Sequence, residues 1–207
     1  VTGDFHDFSE KTNFQQSKEF LIELMKKLHL NIEEDLFLIP GNHDGVTEIA
    51  GKSIHIKALR ENPLDSAAPD SFKVLGGAFA TYEKFVKELI PTYPVEHPAA
   101  SHVRCWKGKI NFVHCNTAIG ADGKNKDMQM LNVDELAELA LDKEKTNIIL
   151  AHNSFADMDE RIQKRIKDYI RVNHIAAYFC GDRHRQELVG IEIDRKKNLS
   201  IPCVVNY

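Results

Sequence analysis

Residues 36–44 read Leu-Phe-Leu-Ile-Pro-Gly-Asn-His-Asp, an apolar run closed by Pro-Gly and followed directly by Asn, His and Asp. A short continuous apolar run that ends in Pro-Gly predicts a buried strand, and whatever follows it lies at the strand's carboxyl end. The same arrangement recurs elsewhere in the chain. Residues 1–7 read Val-Thr-Gly-Asp-Phe-His-Asp, residues 148–153 Ile-Ile-Leu-Ala-His-Asn, and residues 179–184 Phe-Cys-Gly-Asp-Arg-His. Buried strands that end in Asp, Asn and His bring carboxylate, amide and imidazole donors to the mouth of a sheet, where open α/β folds hold their ligands and metals.

Working outward, residues 1–2 read as the end of a strand. A helix is predicted from after Asp7 to about residue 28, with Phe20, Leu21, Leu24, Met25 and Leu28 on one face. Residues 35–39 form the next strand, and a strand–helix–strand order implies a parallel pair with a crossover helix. Residues 51–107 are broken by Asn62-Pro63, Gly76-Gly77, Pro91, Pro94 and Pro98. They read as an insertion within a single 1–207 domain, serving either as a lid or as structural cover. Inside it, residues 78–90 carry a helical stripe of Phe79, Tyr82, Val86 and Leu89. Downstream, strands are predicted at 110–116, 147–151 and 175–180. Helices are predicted at 133–142, opened by a capping box of Asn132 and Glu135, and at 158–172, with Ile162, Ile166, Tyr169 and Ile170 inward. A hairpin of 188–193 with 201–205 closes the chain.

The chain has 207 residues, 43% of them hydrophobic, enough for one domain with a substantial core. A net charge of −4 argues against a strongly basic nucleic-acid binder. The cations Arg161, Lys164, Arg165, Lys167 and Arg171 fall on the polar face of a predicted helix and read as solvated. Cys105, Cys115, Cys180 and Cys203 form no C-x-x-C pair and read as reduced core thiols of a cytoplasmic protein. No segment is long and apolar enough to span a bilayer. The first residue is Val rather than Met, so any targeting segment upstream is unread.

The ordered set G-D-x-x-D at 3–7, G-N-H-D at 41–44, His152, and G-D-x-H at 181–184 resembles the calcineurin-like metallophosphoesterases. The resemblance implies an α/β fold of two mixed β-sheets packed as a sandwich and flanked by helices, here with its N-terminal strand missing. It also implies metal-dependent phosphoester hydrolysis by a metal-bridging hydroxide. Two divalent ions are implied, Mn²⁺ foremost, with iron, zinc, nickel and magnesium open. By the same resemblance Asp4 bridges the ions, Asn42 and His152 bind the second, and His184 binds the first. His43 faces the leaving group as general acid, with Asp44 orienting its ring, and Asp7 supports the ligands or caps the following helix.

The chain departs from that pattern at two points. The family commonly has G-H-x-H where this chain has Gly181-Asp182-Arg183-His184, so Asp182 stands in the position of a metal-binding His. A carboxylate is a harder ligand and favours Mn²⁺ or Mg²⁺. Arg183 is expected either to pair with Asp182 or to contact substrate phosphate. The family's upstream D-x-H motif is absent from the sequence, which predicts a truncated chain with an incomplete first-metal site. The expected substrate is a phosphoester, a small diester or nucleotide being favoured. A nuclease role stays open, no membrane partner is expected, and the oligomeric state is unread. The competing reading is a non-catalytic binding module on the same scaffold.

Overall fold

The computed structural model describes residues 1–5, 14–46, 52–62, 68–120, 129–183, 186–197 and 199–205. Its centre is one mixed six-stranded sheet: β1 (His102–Trp106), β2 (Ile110–Cys115), β3 (Thr146–Ala151), β4 (Ile175–Cys180), β5 (Glu187–Asp194) and β6 (Leu199–Val205), in the order β1-β2-β3-β4-β6-β5. The middle pairs β2–β3, β3–β4 and β4–β6 are parallel, and the two edge pairs are antiparallel. A parallel centre must be covered on both faces, which is why Val113, Ile149 and Tyr178 are almost wholly buried.

Helix α7 (Glu160–Val172) covers one face. Its buried residues Ile162, Ile166, Tyr169 and Ile170 follow the helical period, and the Asp159 side chain caps it by accepting the Arg161 N–H at 2.8 Å. Helix α6 (Val133–Glu138) is shorter than its sequence suggests and keeps half of the predicted capping box. Asn132 accepts the Glu135 N–H, while the Glu135 carboxylate accepts the Ser101 N–H at 3.1 Å instead of turning back on its own helix.

On the other face lie the N-terminal residues and the segment leading to Gly41. The predicted strand at 35–39 takes a different form: Asp35 closes a short helix α2 (Ile32–Asp35), and only the residues after it are extended. They run beside residue 1 in the parallel sense, the Val1 amine donating to Phe37 O at 2.7 Å and Ile39 N–H to Val1 O at 3.3 Å. Contacts between the Phe37 and Phe112 rings, 4.3 Å apart, and a 2.9 Å hydrogen bond from His114 Nδ1 to Leu38 O fasten this layer to the sheet. Among the described residues it forms no second sheet of its own.

Helix α1 (Gln15–Lys27) buries Leu21 and Met25, but Phe20 and Leu28 face solvent, so the predicted apolar face is wider than the one used. Helices α3 (Lys52–Glu61) and α4 (Ala68–Gly76) pack on each other. After the 3₁₀ turn Gly77–Phe79 comes α5 (Ala80–Leu89), whose stripe Phe79, Tyr82, Val86 and Leu89 is buried as predicted, joined by Phe85. This helix and the turn before it reach the segments after Asp4 and after Asp44: the Phe5 ring lies 5.4 Å from that of Phe85, and Val46 N–H donates to Ala78 O at 2.9 Å. Cys115, Cys180 and Cys203 are buried free thiols, whereas Cys105 is exposed on β1, contrary to its expected place in the core. No helix among the described residues is long and apolar enough to cross a membrane.

Candidate metal centre

Four loops meet at the carboxyl end of the parallel strands. Two of them touch backbone to backbone, which only glycine allows. Gly3 has φ +92°, and a Cβ there would press on Gly41 and sit 2.7 Å from His152 Nδ1. A Cβ on Gly41 would in turn meet the Asp4 main chain and carboxylate. Asp4 itself takes the left-handed conformation, φ 59°. Asp44, completely buried, holds this crossing together: its carboxylate accepts the N–H groups of Asp4 (2.8 Å), Phe5 (2.7 Å) and Gly41 (2.7 Å). The His43 N–H donates to Asp4 Oδ1 at 3.0 Å, which turns Asp4 Oδ2 toward the end of β3.

His152 follows β3 and is the centre of the constellation. Its Nδ1 lies 2.5 Å from the Thr2 carbonyl, which can only accept, so Nδ1 carries the proton. Nε2 then faces three oxygens: Asn42 Oδ1 at 2.7 Å, Asp4 Oδ2 at 3.4 Å and Asp182 Oδ1 at 3.5 Å. Three acceptors converging on one ring nitrogen require a positive centre among them, either a proton on Nε2 or a cation in its place. Burial opposes charge on His152, but Asp182, Asp4 and the Thr2 carbonyl together outweigh it and raise its pKa above the ordinary imidazole value. The donor atoms of Asp4, His152 and Asp182 all lie within 4.8 Å of one another, a grouping able to hold a metal ion. Oxygen donors with one imidazole suit a hard divalent ion, and fixing Nδ1–H on a carbonyl is the usual way to present Nε2 as a metal ligand.

The structure therefore brings together Asp4, Asn42, His152 and Asp182, with His43 and Asp44 in the turn that carries Asn42. His184 and Asp7 lie outside the described residues. Arg183 is engaged away from Asp182: its Nε donates to Asp157 Oδ2 at 2.9 Å, a second nitrogen reaches Asp157 Oδ1, and Glu187 lies 3.9 Å away. Asp182 has φ 66° and follows Gly181, whose N–H donates to His152 O at 2.8 Å, so the β3 and β4 loops are tied by main chain as well. His114 is a buried structural residue, and His102 stacks on it at 4.3 Å.

Sequence reasoning passed over three further residues here. Asn153 donates to Asp182 Oδ2 at 3.0 Å, Thr117 is bonded to Asn153, and Asp157 holds Arg183. The signal for Asn153 was its place beside His152. Thr117 and Asp157 carry no signal without the fold. A cleft of about 610 Å³ is lined by Asp4, His152 and Asp182 together with Phe112, Leu150 and Phe179.

The family model for calcineurin-like phosphoesterases matches residues 1–186, and the chain belongs to that family. A comparison with curated proteins found no match. Membership suggests metal-dependent phosphoester hydrolysis, a chemistry for which the family typically binds divalent metals, and Asp4, His152 and Asp182 form a group able to hold one.

Proposed function

We propose that the chain hydrolyses a small phosphodiester or nucleotide phosphate at a centre held by Asp4, Asn42, His152 and Asp182, with Mn²⁺ as the preferred ion. The observation that carries this reading is the convergence of Asn42 Oδ1, Asp4 Oδ2 and Asp182 Oδ1 on Nε2 of His152, the ring nitrogen not engaged by the Thr2 carbonyl. Two carboxylates among four donors favour a hard, oxygen-seeking ion. A divalent ion bound there supplies charge neutralisation for the phosphate and acidity for a coordinated water. Everything else in the reaction falls to the chain. Asp4 and Asp182 set the negative charge of the centre, and Asn42 and His152 fill it without adding to that charge. His43, one residue beyond Asn42, protonates the departing oxygen. Asp44 keeps the turn that carries both residues at a fixed distance from Asp4. His184 is the fifth donor in this proposal, and Asp7 supports the ligands. The chain works as one domain, in which residues 51–107 cover the site loops; the bond from Val46 to Ala78 supports that reading.

The test is Mn²⁺-dependent turnover of bis-p-nitrophenyl phosphate beside a His43→Ala variant. The proposal expects turnover that requires the metal and falls roughly 100-fold or more in the variant, the ordinary scale for removal of a general acid. A folded chain that binds Mn²⁺ but turns over neither this diester nor a monoester would instead support a non-catalytic binding module, the reading that Asp182 in place of a His favours. Cleavage of DNA that is far more sensitive to loss of Lys and Arg in 51–107 than diester turnover would support a nuclease.

A further inference from the structure

Asn153 is completely buried, and each of its polar groups has a partner. Its main-chain N–H donates to Thr117 Oγ1 at 3.0 Å, and the Thr117 hydroxyl donates back to Asn153 Oδ1 at 2.9 Å. The Tyr178 hydroxyl donates to the Asn153 carbonyl at 3.0 Å. This closed exchange fixes which way the side-chain amide faces. The Asp182 carboxylate can only accept, so the amide turns Nδ2 toward it and Oδ1 toward Thr117, whose hydroxyl takes the main-chain N–H as acceptor and gives its single proton to Oδ1. Oδ1 is thereby committed, and the Nδ2 donor must face the opposite way, where it meets Asp182 Oδ2 at 3.0 Å. The other oxygen, Asp182 Oδ1, is the one turned toward His152 Nε2.

We infer that Asn153, locked by Thr117, is a positioning residue that makes Asp182 a one-oxygen metal ligand. Asp182 sits in a left-handed turn, φ 66°. A carboxylate offers two oxygens and can rotate. Binding one of them to a fixed donor leaves a single oxygen for the centre, so the Asn153–Thr117 pair is the structural complement of having Asp at 182. The inference rests on the metal-centre reading above and deepens it.

The test is calorimetric titration of the full chain with MnCl₂, with circular dichroism and metal-free melting temperature as fold controls. Asn153→Leu keeps the shape and removes the donor. Thr117→Val keeps the shape and removes the lock. The inference expects Asn153→Leu to bind Mn²⁺ roughly ten- to hundredfold more weakly, the usual cost of losing a residue that orients a ligand. Thr117→Val should weaken binding less, and Thr117→Ser should bind as the wild type does. In an Asp182→Asn background the Thr117→Val effect should vanish, because the residue it acts through is gone. A folded Asn153→Leu chain with wild-type Mn²⁺ affinity overturns the inference. So does a Thr117→Val effect that persists undiminished in the Asp182→Asn background, which decides the matter even where Asn153→Leu does not fold. A wild-type chain that binds no Mn²⁺ overturns the metal-centre reading, and this inference falls with it.

Discussion

The carboxylate of Asp44 is wrapped by the main chain that carries Asp4: Oδ2 accepts the Asp4 N–H at 2.8 Å, Oδ1 the Phe5 N–H at 2.7 Å, and the Gly41 N–H returns to Oδ2 at 2.7 Å. A fully buried carboxylate is tolerated because main-chain donors take the place of water. It fixes two loops about 40 residues apart in sequence into a single platform.

Asp44→Asn should therefore destabilise the fold and loosen the centre together. An amide has one acceptor oxygen where the carboxylate has two, and its NH₂ would face a main-chain donor. The expected loss is roughly 3 kcal/mol, the scale of breaking charge-assisted bonds to a buried group. Urea unfolding of the metal-free chain measures it, and a change below about 0.5 kcal/mol would contradict the role assigned to Asp44.

Gly3→Ala should be as damaging as loss of a ligand, although it removes no donor atom. The left-handed backbone and the contact at 2.7 Å with His152 Nδ1 leave no room for a methyl group. Strain and overpacking together should cost about 3 kcal/mol. A melting temperature and Mn²⁺ affinity equal to the wild type would show that the two loops do not meet as described.

Stability should fall in mild acid because of His102 and His114. Their stacked rings are buried, with Tyr93 OH 2.8 Å from His102 Nε2 and Arg104 close by. Burial, opposed by the Ala100 carbonyl and reinforced by Arg104, pushes His102 from 6.5 down to about 4. Burial and the neighbouring His102 hold His114 well below its ordinary value. Both imidazoles are neutral in the folded chain, while the unfolded chain takes up protons near pH 6.5. Their contribution is thus complete above that pH and is lost as the pH falls through it, for His102 until about pH 4. At about 1.4 kcal/mol per pH unit per group, His102 alone removes roughly 3 kcal/mol across the window. Denaturant unfolding of wild type and His102→Gln between pH 7.5 and 4.5 checks this; parallel pH profiles would refute it.

The parts of this molecule legible in the sequence are those set by local pattern. Strand β4 matches its apolar run from Ile175 to Cys180, and the stripe on α5 follows its 3.6-residue period. The four main site residues were legible because each ends or follows an apolar run. Strand β1 was not. Its centre, Arg104, reads as a surface cation, yet it is buried, donating to Leu36 O and Glu33 O at 2.7 Å each and lying over the Phe37 and Tyr93 rings. Those partners lie at least 11 residues away in sequence, so no short window around Arg104 predicts its burial. Phe20 erred in the opposite direction: periodicity marks which side of α1 is apolar, not how far the neighbouring surface extends to cover it. Thr117 and Asn153, 36 residues apart, meet only because β2 and β3 are paired in parallel register.

The most direct test of the account is an anomalous difference map from crystals of the chain grown with MnCl₂, collected near the manganese edge. The account predicts a peak within about 2.5 Å of Asp4 Oδ2, Asn42 Oδ1, His152 Nε2 and Asp182 Oδ1, the range of oxygen and imidazole ligands to such ions. A map with no peak among these four atoms, from crystals in which Mn²⁺ is bound elsewhere or not at all, would contradict it.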